Sequence, residues 1–336
     1  MNNSEGLNIF GLSAGLAVLM FVLFFVSLGW GQVWINPFLL LVDGAGILSK
    51  GEKLILMEIR LPRALLALFV GAILGLSGAV LQGLLRNPLA EPGLLGISSW
   101  ASLGAVVALY TGFAGLFDLA LPLSALAGAG IAVLLLHSLA GRRADILTTI
   151  LAGVALTTLA AALTSLILNL SKNPFAAIEI VFWMMGSFVD RSMSHVWLSL
   201  PFILFGGGLL IFTGRALDAL TLGHDVASSL GVNLKKVQLL AIFGTAIGVG
   251  AATAVAGAIG FVGLVVPHLL RPLVGNRPSQ LLPVSAFGGA IFLLAADIGV
   301  RVILPGQDLK LGVVTAIIGT PFFIWLLVKV RRRAGL

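Results

Sequence analysis

Three arginines and one long polar loop are the residues of this chain whose types and spacing could do specific work. Arg60 and Arg63 stand three residues apart in RLPR, and Arg301 closes ADIGVR. Guanidinium groups are permanently charged, planar donors, and their place at the ends of apolar runs needs an explanation that a turn does not supply. Acid–base or metal chemistry finds much less to use. His137, His195, His224 and His268 lie singly, near the ends of apolar runs or in loops, without ligand-like pairing. A structural or interfacial role is the simpler reading of each. Glu91 and Asp297 fall near the ends of apolar runs, while Glu179 and Asp190 flank a connection, so no chain of buried acids suggests a proton or sodium relay. The chain has no GxxxxGK[ST] phosphate loop, so if ATP drives it the hydrolysis belongs to a partner. It also has no cysteine, which removes disulfides and thiolate metal sites.

The elements that carry these residues are apolar. Of 336 residues 59% are hydrophobic and 10% charged, with a mean hydropathy of +1.12. Soluble domains carry about 25% charged residues, so the bilayer is the solvent here. The formal charge of +7 does not favour nucleic acid, because the basic residues are scattered between apolar spans rather than clustered on one face. Uncharged runs cover 6–42, 64–85, 92–117, 119–141, 146–171, 192–214, 237–270, 278–296 and 311–328. About 20 apolar residues cross the hydrocarbon core as a helix. The run 237–270 is too long for one crossing, and Gly257, Gly260 and Gly263 offer a break, so ten crossings are expected. The start, MNNSEGLN, has no basic residue before the first run, which reads as a retained first helix.

Ten crossings put both termini on one side. Lys329, Arg331, Arg332 and Arg333 mark that side as cytoplasmic under the positive-inside rule. Twelve basic residues then fall inside and eight outside, so the outer arginines call for their own explanation. Gly71, Gly75, Ser77 and Gly78 make one small-residue face, and Gly244, Gly248 and Gly250 another. Such faces let helices approach closely in lipid. Packing within one bundle is the simpler reading, and dimerisation the alternative.

Two connections are richer than a turn requires. LLRNPLAEPGLLGISS at 84–99 is stiffened by Pro88 and Pro92. RALDALTLGHDVASSLGVNLKKVQ at 215–238 sets Leu217, Leu220 and Leu222 in a polar stretch, with Gly223 and Gly231 punctuating two short helices and Asp225 placed to cap the second. Residue chemistry leaves this loop open between a partner-docking element and a surface helix whose Lys235 and Lys236 meet anionic lipid.

RLPRALLALFVGAILGLSGAVLQGLLRNPLAEPGLLGISS at 60–99, ILAGVAL at 150–156, WMMGSF at 183–188, LGHDVASSLGV at 222–232, GAIGFVGLVVPHLLR at 257–271, LLAADIGVR at 293–301 and GVVTAIIGTPFFIWLL at 312–327 resemble the iron-chelate and vitamin B12 permease family of bacterial ABC importers. Trp100 and the proline-free stretch Asp308–Gly312 depart from that family's pattern.

The resemblance implies an all-α polytopic membrane protein of type II ABC importer permease architecture, with about ten transmembrane helices and residues 1–336 forming one permease domain. It implies a second permease subunit (a homodimer) with the pathway between the two, in the bacterial cytoplasmic membrane. Two ATP-binding-cassette ATPases would dock inside, and a periplasmic or lipid-anchored substrate-binding protein outside. No cofactor is expected in this chain, since ATP and magnesium would be bound by the partner ATPase. The loop 217–238 matches the family's coupling helices, with Leu217, Leu220, Leu222, Gly223, Ala227, Leu230 and Gly231, and with Leu222, Ala227 and Leu230 expected to face an ATPase cleft. Arg60, Arg63 and Arg301 fall on the positions that bind acidic residues of the binding protein, and Asp145, Ile146, Leu147 and Thr148 on the inner gate. The implied cargo is an iron chelate, siderophore or haem, ahead of vitamin B12 or a metal oxyanion. A self-sufficient carrier or channel is the alternative of another class.

Overall fold

Runs that are apolar on every side can only sit inside a bundle or against lipid, and both fates occur here. The computed structural model describes residues 9–41, 48–140, 146–303 and 309–333, and Asp145 and Asp308 lie outside them. Fourteen α-helices make up its regular structure, in the order α1 (Ile9–Gly29), α2 (Lys50–Leu54), α3 (Leu61–Leu84), α4 (Ile97–Thr111), α5 (Ala120–Ala140), α6 (Ile146–Leu170), α7 (Pro174–Met184), α8 (Met193–Ile211), α9 (Gly214–Leu220), α10 (His224–Ser229), α11 (Leu234–Ala256), α12 (Val262–Leu270), α13 (Pro278–Ile303) and α14 (Leu311–Arg333). A π-helical turn, Ile55–Arg60, joins α2 to α3. Among the described residues, eight helices are long and apolar enough to cross a membrane.

With the shorter α4 and α12 these match the ten expected crossings, with two corrections. The short helix α7 occupies a stretch that Glu179 had marked as loop. Also, α12 is not a full crossing. Nine residues span about 14 Å at 1.5 Å each, roughly half of a hydrocarbon core. The break before it is made by Gly257 and Phe261, both left-handed (φ 71° and 68°). Gly263 is not part of that break. It lies within α12 and packs backbone to backbone on Gly78, in the second half of α3, so α12 starts inside the bundle.

The middle of the bundle is α3 and α11, which bury most of their surface, whereas α1, α6 and α14 leave most of theirs uncovered. One core runs through α3, α8, α11, α12 and α13, and a second joins α4 and α5 to α6 and α11. The small-residue faces pack within the chain. A Cβ on Gly71 or Gly75 would overlap the backbone of Gly289 or Ser285 on α13, and Gly248 receives Ile73 of α3. Trp100 ties α4 to α6 by donating its indole N–H to the Leu156 carbonyl at 3.0 Å.

Candidate docking and coupling surfaces

At one end of the bundle the last carbonyls of α1 have no partner within their own helix, and two arginines supply one. Arg60 Nη1 donates to the carbonyls of Leu28 (3.0 Å) and Gly29 (2.7 Å), and its Nη2 to that of Val33 (2.6 Å). Arg301 Nη1 donates to the carbonyls of Ser27 (2.9 Å) and Trp30 (2.8 Å). Cations at a helix C-terminus also complement its dipole. The expected docking arginines are therefore engaged inside the fold, and Arg60 is only 7% exposed.

Arg63 and Arg301 share a carboxylate. Arg63 Nη2 lies 2.8 Å from Asp297 Oδ1, with its Nε donating to the same group, while Arg301 Nη2 lies 2.9 Å from Oδ2. Asp297 is 1% exposed. Sequence reasoning saw Asp297 only as an acid near a helix end. The one available signal was its spacing from Arg301, i to i+4 with the acid first, which favours pairing. Arg63 and Arg301 around one carboxylate, with Arg60 close by, form a locally positive cluster, and Arg63 and Arg301 keep some solvent contact, with side chains 16% and 12% exposed.

The opposite end carries α9 and α10. Their turns use left-handed glycines, Gly223 (φ 110°) and Gly231 (φ 83°), as expected. Leu217 and Leu220 are buried in the chain's own core, with Leu217 against Gly83. Asp218 fastens α9 to the start of α13 by accepting the Ser279 N–H at 2.8 Å. Two expectations need correction. Ala227 does not face outward: it is 0% exposed, because α10 turns that side onto the core. Asp225 does not cap α10, since Gly223 holds the cap position and Asp225 lies in the first turn. What the loop presents outward is Leu222 (64% exposed), Val226 (45%) and Leu230 (63%). Val226 was missed from sequence.

Of the residues matched to the gate, Ile146, Leu147 and Thr148 open α6. Leu147 is exposed and Thr148 lies beside it, while Thr149 is buried and accepts from Gln238 Nε2 of α11 at 3.2 Å. Elsewhere, a cavity of about 570 Å³ lies between Met184 and Met185 after α7, Ala258 in the break, and Gly312, Ile317 and Pro321 of α14. Its lining is largely apolar.

The profile of the FecCD transport family matches residues 19–329. The chain belongs to that family. Among FecCD relatives, the uncharacterized ABC transporter permease protein YvrB of Bacillus subtilis (strain 168) is 42% identical over 283 residues, covering 83% of this chain and 80% of that protein. The vitamin B12 import system permease protein BtuC of Escherichia coli O9:H4 (strain HS) is 41% identical over 320 residues, 94% of each. A solved structure titled as an inward-facing conformation of a metal-chelate type ABC transporter superposes with a TM-score of 0.84 at 32% identity, covering 95% of this chain and 99% of that one. The chain is thus an ABC importer permease of the FecCD family with the type II fold, and a multi-pass membrane protein.

Proposed function

We propose that this FecCD permease moves an iron chelate, siderophore or haem, into the bacterial cytoplasm by alternating access at a dimer interface. The observation that carries this reading is the whole-chain likeness, at 32% identity, to a transporter described as metal-chelate type. Vitamin B12 is the second reading, favoured by 41% identity over 320 residues to a B12 permease.

The uncovered faces of α6, α7 and α14 and the apolar cavity beside them support a second permease copy meeting this one there, with the pathway between. Leu222, Val226 and Leu230 form an apolar knob that fits a cleft on an ATPase, which would bind ATP and magnesium. The local positive cluster of Arg60, Arg63 and Arg301 suits an acidic patch on a binding protein, which such a field helps to orient. In this orientation both termini are cytoplasmic.

Uptake decides among cargoes. Cells carrying this permease with its ATPase and binding protein are offered radiolabelled ferric siderophore, haem or cyanocobalamin. The proposal expects an iron chelate to be taken up and to resist competition by cyanocobalamin. Uptake of cyanocobalamin alone transfers the assignment to the second reading. Uptake by the permease without an ATPase, driven by an ion gradient, rejects both.

A further inference from the structure

The α9–α10 end of the bundle holds a second cavity, of about 450 Å³, which the transport reading does not use. It opens between the turn after α3, the end of α12 and the last turns of α14. Three permanent cations line it, Arg86, Arg271 and Lys329, and no acidic residue does among those described. Asp218, three residues before the lining residue Thr221, is committed to the N–H of Ser279.

Arg271 is already half-organised for an anion. Its Nη2 donates to Gln82 Oε1 at 2.9 Å, and Gln82 Nε2 in turn reaches the carbonyls of Gly263 (3.3 Å) and Leu264 (3.2 Å). The guanidinium plane is thereby fixed, yet its Nε is buried with no hydrogen-bond partner. Arg271 as a whole lines the cavity, and a guanidinium held in one plane suits phosphate or carboxylate oxygens. Lys329 is steadied from the other side, with its Nζ 4.5 Å from the Trp325 ring centre. Arg86 stands exposed at the rim. One fixed guanidinium, one steadied cation and one exposed cation thus line a cavity to which no described residue contributes a counter-charge.

We propose that this cavity binds a phosphate group. Its position allows two sources. Leu326 forms part of the wall, and Trp325 and Leu327 on either side of it are exposed apolar side chains against which acyl chains can lie. An anionic lipid could thus place its headgroup in the cavity, or a free phosphate could enter from the aqueous side.

The test uses the full chain, purified and delipidated in detergent. Phosphatidylglycerol or phosphatidylcholine is added and retained lipid is counted by native mass spectrometry. In parallel, inorganic phosphate is titrated while thermal stability is followed. Arg86→Gln with Lys329→Gln removes the two rim cations. Lys235→Gln with Lys236→Gln removes the same charge from exposed positions on the same end of the molecule. Arg271→Gln also breaks the bond to Gln82, so the rim pair carries the test.

Phosphatidylglycerol retained over phosphatidylcholine, roughly thirtyfold less in the rim variant and unchanged in the control variant, supports the site with lipid as source. Stabilisation by inorganic phosphate that the rim variant loses and the control keeps, without lipid preference, supports it with free phosphate as source. Equal behaviour of the two double variants towards both probes overturns the proposal.

Discussion

Asp297 accepts Arg63 Nη2 on Oδ1 at 2.8 Å and Arg301 Nη2 on Oδ2 at 2.9 Å. Asp297 and Arg301 belong to α13 and Arg63 to the first turn of α3, so one buried carboxylate joins two helices. Arg301 then extends the bridge to the end of α1. Removing one partner of a buried pair leaves uncompensated charge, at a cost of about 3–5 kcal/mol.

Asp297→Asn is therefore expected to lower thermal stability in detergent strongly. Adding Arg63→Gln should recover part of the loss, because it removes one of the two unmatched cations. A single variant as stable as wild type would show that the pair contributes nothing.

Arg60 predicts a local effect instead. Because the natural chain has no cysteine, Leu28→Cys gives a unique thiol at a position that is buried in the native fold. It should be protected from maleimide when Arg60 is present. Arg60→Ala withdraws the donors from the end of α1, and labelling should speed up. Unchanged labelling would mean that packing alone holds α1 in place.

Docking of an acidic binding protein calls for mild substitutions. Arg63→Glu would set two carboxylates against each other and damage the fold, which confuses the result. Arg63→Gln and Arg301→Gln keep the shape. Each is expected to weaken binding-protein affinity beyond what its own stability loss explains, and wild-type affinity should fall as salt screens the field. Affinity indifferent to both variants and to salt would restrict these arginines to holding the helices together.

The α9–α10 loop separates anchor from contact. Leu222→Glu places a charge on an exposed knob, so the permease should keep its thermal stability while losing the co-purifying ATPase. Ala227→Glu puts a carboxylate into the chain's own core, where it lacks a partner and costs several kcal/mol. That variant should lose stability before any ATPase is added. Matching behaviour of the two variants would refute this division.

Much of the fold was legible because lipid enforces a simple grammar. Long uncharged runs became long helices, and Gly71 and Gly75 signalled the contact with α13 without naming the partner. The helix α7 was missed because Glu179 interrupts its apolar stretch, although only eleven residues are needed there. The role of Asp297 was hidden because Arg63 lies 234 residues away, and no local pattern encodes such a pairing. Ala227 was assigned to the wrong side because six residues of α10 make too few turns for periodicity to reveal which side faces the core.

The break before α12 has a wider consequence. Ser187 N–H donates to the Ala256 carbonyl at 2.8 Å, and Gly312 N–H to that of Gly186 at 3.3 Å. The corner after α7, the end of α11 and the start of α14 are thus stitched together by main-chain hydrogen bonds, to which Arg191 Nε adds one to the Val255 carbonyl at 2.6 Å. Side chains facing the neighbouring cavity, such as Ile317, take no part in that seam. The lining can be respelled for a bulkier or more polar cargo while the framework that holds it keeps its shape.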